Sequence, residues 1–265
     1  TIFGGIRPFE GKGEFSLKGK IMLAAALSCA LLFSGCMPSG ASGIEESAIV
    51  FRQFEEVEEG ADLAVVHTTL GDITMVLYPK EAPQTVAHFK KLVESGFYTD
   101  LPLFAQIGSR TVVTGASDEF GAQGELLTED EKPLASEVTP NLWHFSGAVS
   151  ALGVEKNQFS QEMVSDSRFF FVGTLSATTE MVTEMEKYQY PLKVIDAYKE
   201  HGGLPQYTGS YTVFGQVIDG MEIVDKLAKA EISADNGQVL DGRLLSIELT
   251  EYHAEEAGSA SSDTE

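Results

Sequence analysis

Arg168 and Phe170 stand two residues apart in the run Ser167-Arg168-Phe169-Phe170-Phe171-Val172. If that run is a strand, its two-residue side-chain period puts the guanidinium and the Phe170 ring on one face, a hydrogen-bond donor beside an apolar surface. The alternative use for Arg168 is an ion pair with one of the chain's many carboxylates. Other reactive side chains offer less. Both cysteines, Cys29 and Cys36, lie in an N-terminal apolar segment, so the chain beyond them holds no thiol and no disulfide. His67, His88, His144, His201 and His253 are scattered without ligand spacing, and no Cys/His metal cluster can be assembled from them. Neither a metal nor a cofactor is expected.

The elements that would carry these residues read as mainly β. Strands fit Leu63 to Thr68, Ile73 to Leu77, Pro102 to Ile107, Arg110 to Thr114, Gly147 to Ala151, Phe169 to Val172, Tyr211 to Val217 and Leu244 to Glu251. Helices fit Pro83 to Ser95, where Val86, Phe89, Leu92 and Val93 share a face and Gly96 ends it, and Met221 to Ala230. Thr179 to Tyr188 and Tyr190 to His201 have helical spacing, broken at Pro191, inside a longer connection at about 175–207. That connection either shapes a binding groove or pads the fold.

With 265 residues, 43% of them hydrophobic, the chain can form one domain of ordinary size with tails. A formal net charge of −22 argues against nucleic acid and against attraction to an anionic lipid surface.

Four blocks carry a resemblance to a known family. Thr68 to Tyr98 (TTLGDITMVLYPKEAPQTVAHFKKLVESGFY) looks like the opening of a cyclophilin-type peptidyl-prolyl isomerase, and Ser167 to Val172 resembles its Ser-Gln-Phe-Phe-Ile strand. Tyr211-Thr212-Val213-Phe214-Gly215-Gln216-Val217 resembles its His/Tyr-x-Val-Phe-Gly-x-Val strand, and Ile218 to Asp225 matches the turn and second helix. The four blocks stand in the family's order and together cover most of Asp62 to Glu251. The resemblance implies a closed eight-stranded antiparallel barrel with two capping helices and, here, a helical insertion.

It also implies a chemistry. Rotation about an X-Pro bond has a barrier of ~18–20 kcal/mol because amide resonance must be broken. Family members favour the twisted amide with an arginine that donates near the prolyl nitrogen while an apolar pocket grips the ring, with no covalent step and no cofactor. Laying Phe104 to Gly115 on the family's Phe-His-Arg-Val-Ile-Pro-Gly-Phe-Met-Ile-Gln-Gly without a gap places the catalytic arginine on Gln106. Pocket phenylalanine becomes Thr111, pocket methionine Val112, and the peptide-orienting glutamine Thr114. Phe170 keeps the buried aromatic, Tyr211 the bordering His/Tyr position, and Gln206-Tyr207 replaces a Trp-Leu pair. Gln106 and Arg168 are thus the expected catalytic residues, Arg168 as a substitute donor, with Phe104, Thr111, Val112, Thr114, Phe170, Tyr207 and Tyr211 binding substrate. Arg110 falls on a family glycine in the intervening turn.

At the front, Lys18 and Lys20 precede an apolar run ending in Ser34-Gly35-Cys36, the pattern of a signal peptide and too short for a spanning helix of ~20 residues. The segment resembles a bacterial lipobox, which implies a diacylglycerol thioether on Cys36. The resulting division is 1–35 leader, 36–61 flexible acidic tether, 62–252 barrel domain and 253–265 disordered acidic tail. A monomeric, extracytoplasmic isomerase is expected, lipid-anchored to a bacterial membrane and acting slowly on proline-containing segments of exported proteins. The alternatives are a non-catalytic module that binds peptides or a partner protein, and a structural lipoprotein that has lost the groove.

Overall fold

In the computed structural model the described residues are 43–106, 110–116, 118–125, 132–155 and 163–254. The leader, Cys36, residues 107–109 and residues 255–265 of the expected tail lie outside them.

Strands β1 (Asp62–Thr68) and β2 (Gly71–Leu77) form a hairpin, followed by helix α1 (Pro83–Glu94). Then come β3 (Leu101–Gln106), β4 (Thr111–Thr114), the two-residue β5 (Leu134–Ala135), β6 (Ala148–Glu155) and β7 (Met163–Val172). Helices α2 (Thr179–Lys187) and α3 (Leu192–His201) precede β8 (Val213–Asp219), α4 (Met221–Ala228) and β9 (Gln238–Glu251). The hydrogen-bonded order is β4-β3-β9-β1-β2-β8-β6-β7, and a further β4–β7 pairing returns to the start. The result is the expected closed antiparallel barrel of eight strands, with β5 added along β7. Several strands run beyond their sequence limits. β7 begins at Met163, with Met163 to Ser165 paired to β6, and β9 begins at Gln238, its ladder with β3 shifting register between Arg243 and Gln238.

Alternation divides the sheet into two apolar faces. Inward residues such as Val66, Ile73, Met75, Val112, Phe169, Phe171 and Phe214 fill the barrel, joined by Phe89 and Leu92 of α1 and Val224 and Leu227 of α4. Phe89 packs edge-on to Phe169 with centroids 5.5 Å apart. Helix α1 starts at Pro83, whose fixed φ suits a first turn. Its free Gln84 and Thr85 amides donate to the Glu137 carboxylate at 3.1 and 2.8 Å, a cap supplied from a distant loop.

A second core was not legible beforehand. Ile49, Trp143, Phe145, Met185, Tyr190, Val194, Ile195 and Tyr198 cluster between the N-terminal segment and helices α2 and α3. Ile49 is 1% exposed. The Gln53 side chain donates to Trp143 O at 2.8 Å and Gln216 Oε1 at 2.7 Å and accepts from Trp143 N at 2.7 Å. The expectation of a flexible tether over 36–61 is therefore corrected for its described part. Residues 44–54 are packed because Ile44, Ile49, Phe51 and Phe54 supply apolar surface to the inserted helices. The insertion, in turn, is half of a core.

Candidate functional site

Outward residues of β7 begin the site. Antiparallel register sets Val113 of β4 opposite Phe170, Thr111 opposite Val172, and Phe104 of β3 opposite Val113. Directly opposed residues share a face. Phe104, Val113, Leu142, Phe170, Val172, Leu204 and Val213 accordingly form one cluster outside the barrel, with Tyr207 and Tyr211 against it. The Tyr207 and Tyr211 rings each lie 5.6 Å from Phe170, at 77° and 84°, and 5.0 Å from one another at 86°. Edge-to-face contacts of this kind add about 0.5–1.5 kcal/mol each beyond area burial. Phe170 is left only 2% exposed, the floor of an aromatic cup roofed by two tyrosines.

The insertion aims Tyr207. It ends the short 3-10 turn Pro205–Tyr207, which is held by the Tyr190 hydroxyl donating to Pro205 O at 2.9 Å and by Leu204 N donating to His144 O at 2.7 Å. The His144 ring lies parallel to Phe170, at 12° and 6.3 Å. Ser150 Oγ gives its single proton to Thr212 O at 2.9 Å, so it accepts from His144 Nε2 at 3.1 Å, which fixes the neutral tautomer. Burial pushes the His144 pKa down to about 3 and raises that of Tyr211. The cup is therefore apolar and uncharged near neutral pH.

The structure brings together Phe104, Phe170, Tyr207 and Tyr211, with Thr111 buried on the same face of β4 as Val113. It does not bring Val112 or Thr114 to the cup, and both expectations are corrected. Val112 lies opposite Phe171 and belongs to the barrel interior. Thr114 is fully buried opposite Phe169, its hydroxyl donating to Pro102 O at 3.0 Å. Val113 fills the expected place of Val112. Only the pairing to β7 reveals this, because a shift of one residue exchanges the faces of a strand. Leu142, His144, Leu204 and Val213 were also missed; Val213, two residues after Tyr211 and the first residue of β8, carried the one readable signal.

Gln106 is the last residue of β3, opposite Thr111, and its side chain lies outside the described atoms. Arg168 is corrected as a donor to the cup. Its Nε and Nη2 donate to Asp166 Oδ1 and Oδ2 at 3.0 and 2.7 Å, while Nη1 donates to the carbonyls of Gly121 and Ala122 at 3.2 and 2.7 Å. Arg110 adopts φ +49°, which explains why a glycine suits that turn, and its Nη1 donates to Thr174 O at 2.9 Å. The two other arginines among the described residues, Arg52 and Arg243, pair with Glu55 and Glu81 and with Asp100. No group of three or more His, Cys, Asp or Glu suited to a metal occurs among the described residues.

Comparisons with known proteins agree with this geometry. Residues 63–249 match the profile of the family described as "Cyclophilin type peptidyl-prolyl cis-trans isomerase/CLD". A Staphylococcus aureus (strain USA300) protein whose name assigns it to the peptidyl-prolyl cis-trans isomerases is 29% identical over 201 residues, spanning 74% of this chain and 96% of its own length. A Staphylococcus epidermidis protein named in the same way is 28% identical over 201 residues, with the same shares. Among solved structures, a Cryptosporidium parvum cyclophilin-type isomerase, studied in the presence of the dipeptide Ala-Pro, superposes with a TM-score of 0.54 at 20% identity, covering 71% of this chain and 98% of its own. That likeness concerns the fold. With eight strands closed into one barrel, an aromatic cup on its outer face and a family match across that whole barrel, the chain belongs to the cyclophilin-type peptidyl-prolyl cis-trans isomerases.

Proposed function

We propose that the protein is a slow peptidyl-prolyl isomerase acting on proline-containing segments of exported proteins, held outside the cell membrane by a lipid on Cys36, with Gln106 standing in for the catalytic arginine. One observation supports slow turnover above the others. Each of the four arginines among the described residues is committed to a carboxylate or carbonyl away from the cup.

In this reading the cup formed by Phe104, Val113, Phe170 and Tyr211 holds the pyrrolidine ring. A carboxamide at position 106 donates to the peptide as the prolyl nitrogen loses conjugation. A neutral hydrogen bond contributes about 1 kcal/mol and one to a charged group about 1.5–3 kcal/mol. Turnover therefore falls short of that of an arginine-bearing member by roughly twofold to thirtyfold. Exchange of cis and trans signals in a short proline peptide, followed by NMR with and without the protein, tests the activity. Catalysed exchange supports it, and exchange unchanged at any protein concentration refutes it.

The 2% exposure of Phe170 favours a second reading, in which the closed cup does not turn over and the same face binds peptides or a partner protein. Peptide resonances that shift in the same titration without faster exchange select this reading.

A further inference from the structure

The loop at 118–125 borders the cup and is held there by an unusual set of bonds. Gly121 lies close against the Phe104 ring, where a Cβ would come within 2.9 Å of Phe104 Cε2. The loop is bonded within itself, because the Asp118 carboxylate accepts from the amides of Phe120, Ala122 and Gln123 at 2.9, 3.2 and 3.0 Å. It is tied to β7 at Ser167, whose hydroxyl accepts from Glu125 N at 2.8 Å and whose amide donates to Glu125 O at 3.2 Å. Over the loop's apex, Arg168 spans Asp166 on one side and two loop carbonyls on the other. Both charged side chains are largely buried, at 7% and 14% exposure, so the pair is shielded from solvent and from salt.

We propose that Arg168 is a positioning residue, which with Asp166 clamps the loop at 118–125 against Phe104 and so fixes one wall of the peptide-binding face. The inference rests on the reading of that face as a peptide site. A planar guanidinium is needed because one group must meet a carboxylate edge-on with two donors and present a third nitrogen to Gly121 and Ala122. A lysine has no such fork. Arg168 does not touch the peptide; it sets where the wall stands.

The test compares wild type with Arg168→Ala, Arg168→Lys and the double variant Asp166→Ala/Arg168→Ala in the full folded chain, using a short proline peptide as probe. Three quantities are read: hydrogen exchange at the amides of Phe120, Ala122 and Gln123, the peptide dissociation constant, and the isomerisation rate at saturation. Arg168→Ala is expected to speed exchange of the loop amides about tenfold, with the Phe171 amide unchanged, and to weaken peptide binding about tenfold at an unaltered saturated rate. Arg168→Lys should recover about a third of the lost affinity. Where Arg168→Ala alone fails to fold because Asp166 is left unpaired, the double variant, which buries no lone charge, should show the same loosened loop. Unchanged loop exchange and affinity overturn the proposal, as does a lower saturated rate at unchanged affinity, which would make Arg168 catalytic. If wild type binds no peptide, the peptide-site reading fails by itself, and the loop amides alone decide the clamp.

Discussion

Restoring the charge at position 106 is the most direct perturbation of this site. Position 106 follows Phe104 by one strand period and closes the β3–β4 hairpin opposite Thr111. Phe104, Val113, Phe170, Tyr207 and Tyr211 carry no carboxylate, so the cup itself would not quench an introduced guanidinium. Gln106→Arg exchanges a neutral donor for a charged one at the position proposed to face the twisted amide. The difference between the two kinds of bond, about 0.5–2 kcal/mol, predicts a roughly twofold to thirtyfold faster saturated isomerisation rate. Because the bond strengthens as the amide twists, the gain belongs to the rate and not to ground-state affinity. The assay is NMR exchange on a proline peptide at saturating protein, with the dissociation constant measured in the same titration. A folded Gln106→Arg variant whose rate stays within twofold of wild type would refute the alignment of Gln106 with the catalytic arginine. A gain confined to affinity would refute the proposed role of the charge.

Three further outcomes are expected. Ile49→Ala opens a cavity in the second core and should cost about 2–5 kcal/mol in chemical denaturation, whereas a flexible tether would show no change. His144 is buried neutral with its pKa near 3, below the value of 6.5 for an exposed histidine, so the unfolded state binds the extra proton first. Its contribution is complete above about pH 6.5 and is lost at about 1.4 kcal/mol per pH unit as pH falls toward 3. His144→Gln should flatten the stability profile over that interval in denaturant titrations, and an unchanged slope would contradict the assignment. Mass spectrometry of the mature protein should find a diacylglyceryl group on Cys36, and an unmodified thiol there would remove the anchor.

The family and the barrel were legible because local signals carried them. The alternation of Ile73 to Leu77, the Pro83 start and Gly96 stop of α1, and the ordered blocks at 167–172 and 211–225 each report on short stretches of chain. Phe170 and Tyr211 were found because the blocks containing them keep the family's order, and Tyr207 because it falls on the family's Trp-Leu pair just before the second of those blocks. Val112 was taken for Val113 because the face of β4 is decided by its pairing with β7, more than fifty residues away in sequence. The destination of Arg168 was illegible for a similar reason, since the carbonyls of Gly121 and Ala122 reach it only through tertiary folding. The ordering of residues 44–54 was hidden by acidic neighbours, which mask three or four apolar side chains without helical or strand periodicity.

The β4–β7 pairing that seals the barrel also governs how any guest chain can be recognised. Sheets with a free rim can capture a peptide by letting it dock as one more strand, reading its backbone regardless of sequence. Here, among the described residues, the eight-strand ring offers no such rim, and β5 extends the hydrogen-bonding along β7 by only two residues. In the proposed reading selectivity comes from side chains standing on the outer wall, so modest substitutions there would redirect the protein to different guests while the scaffold remains intact.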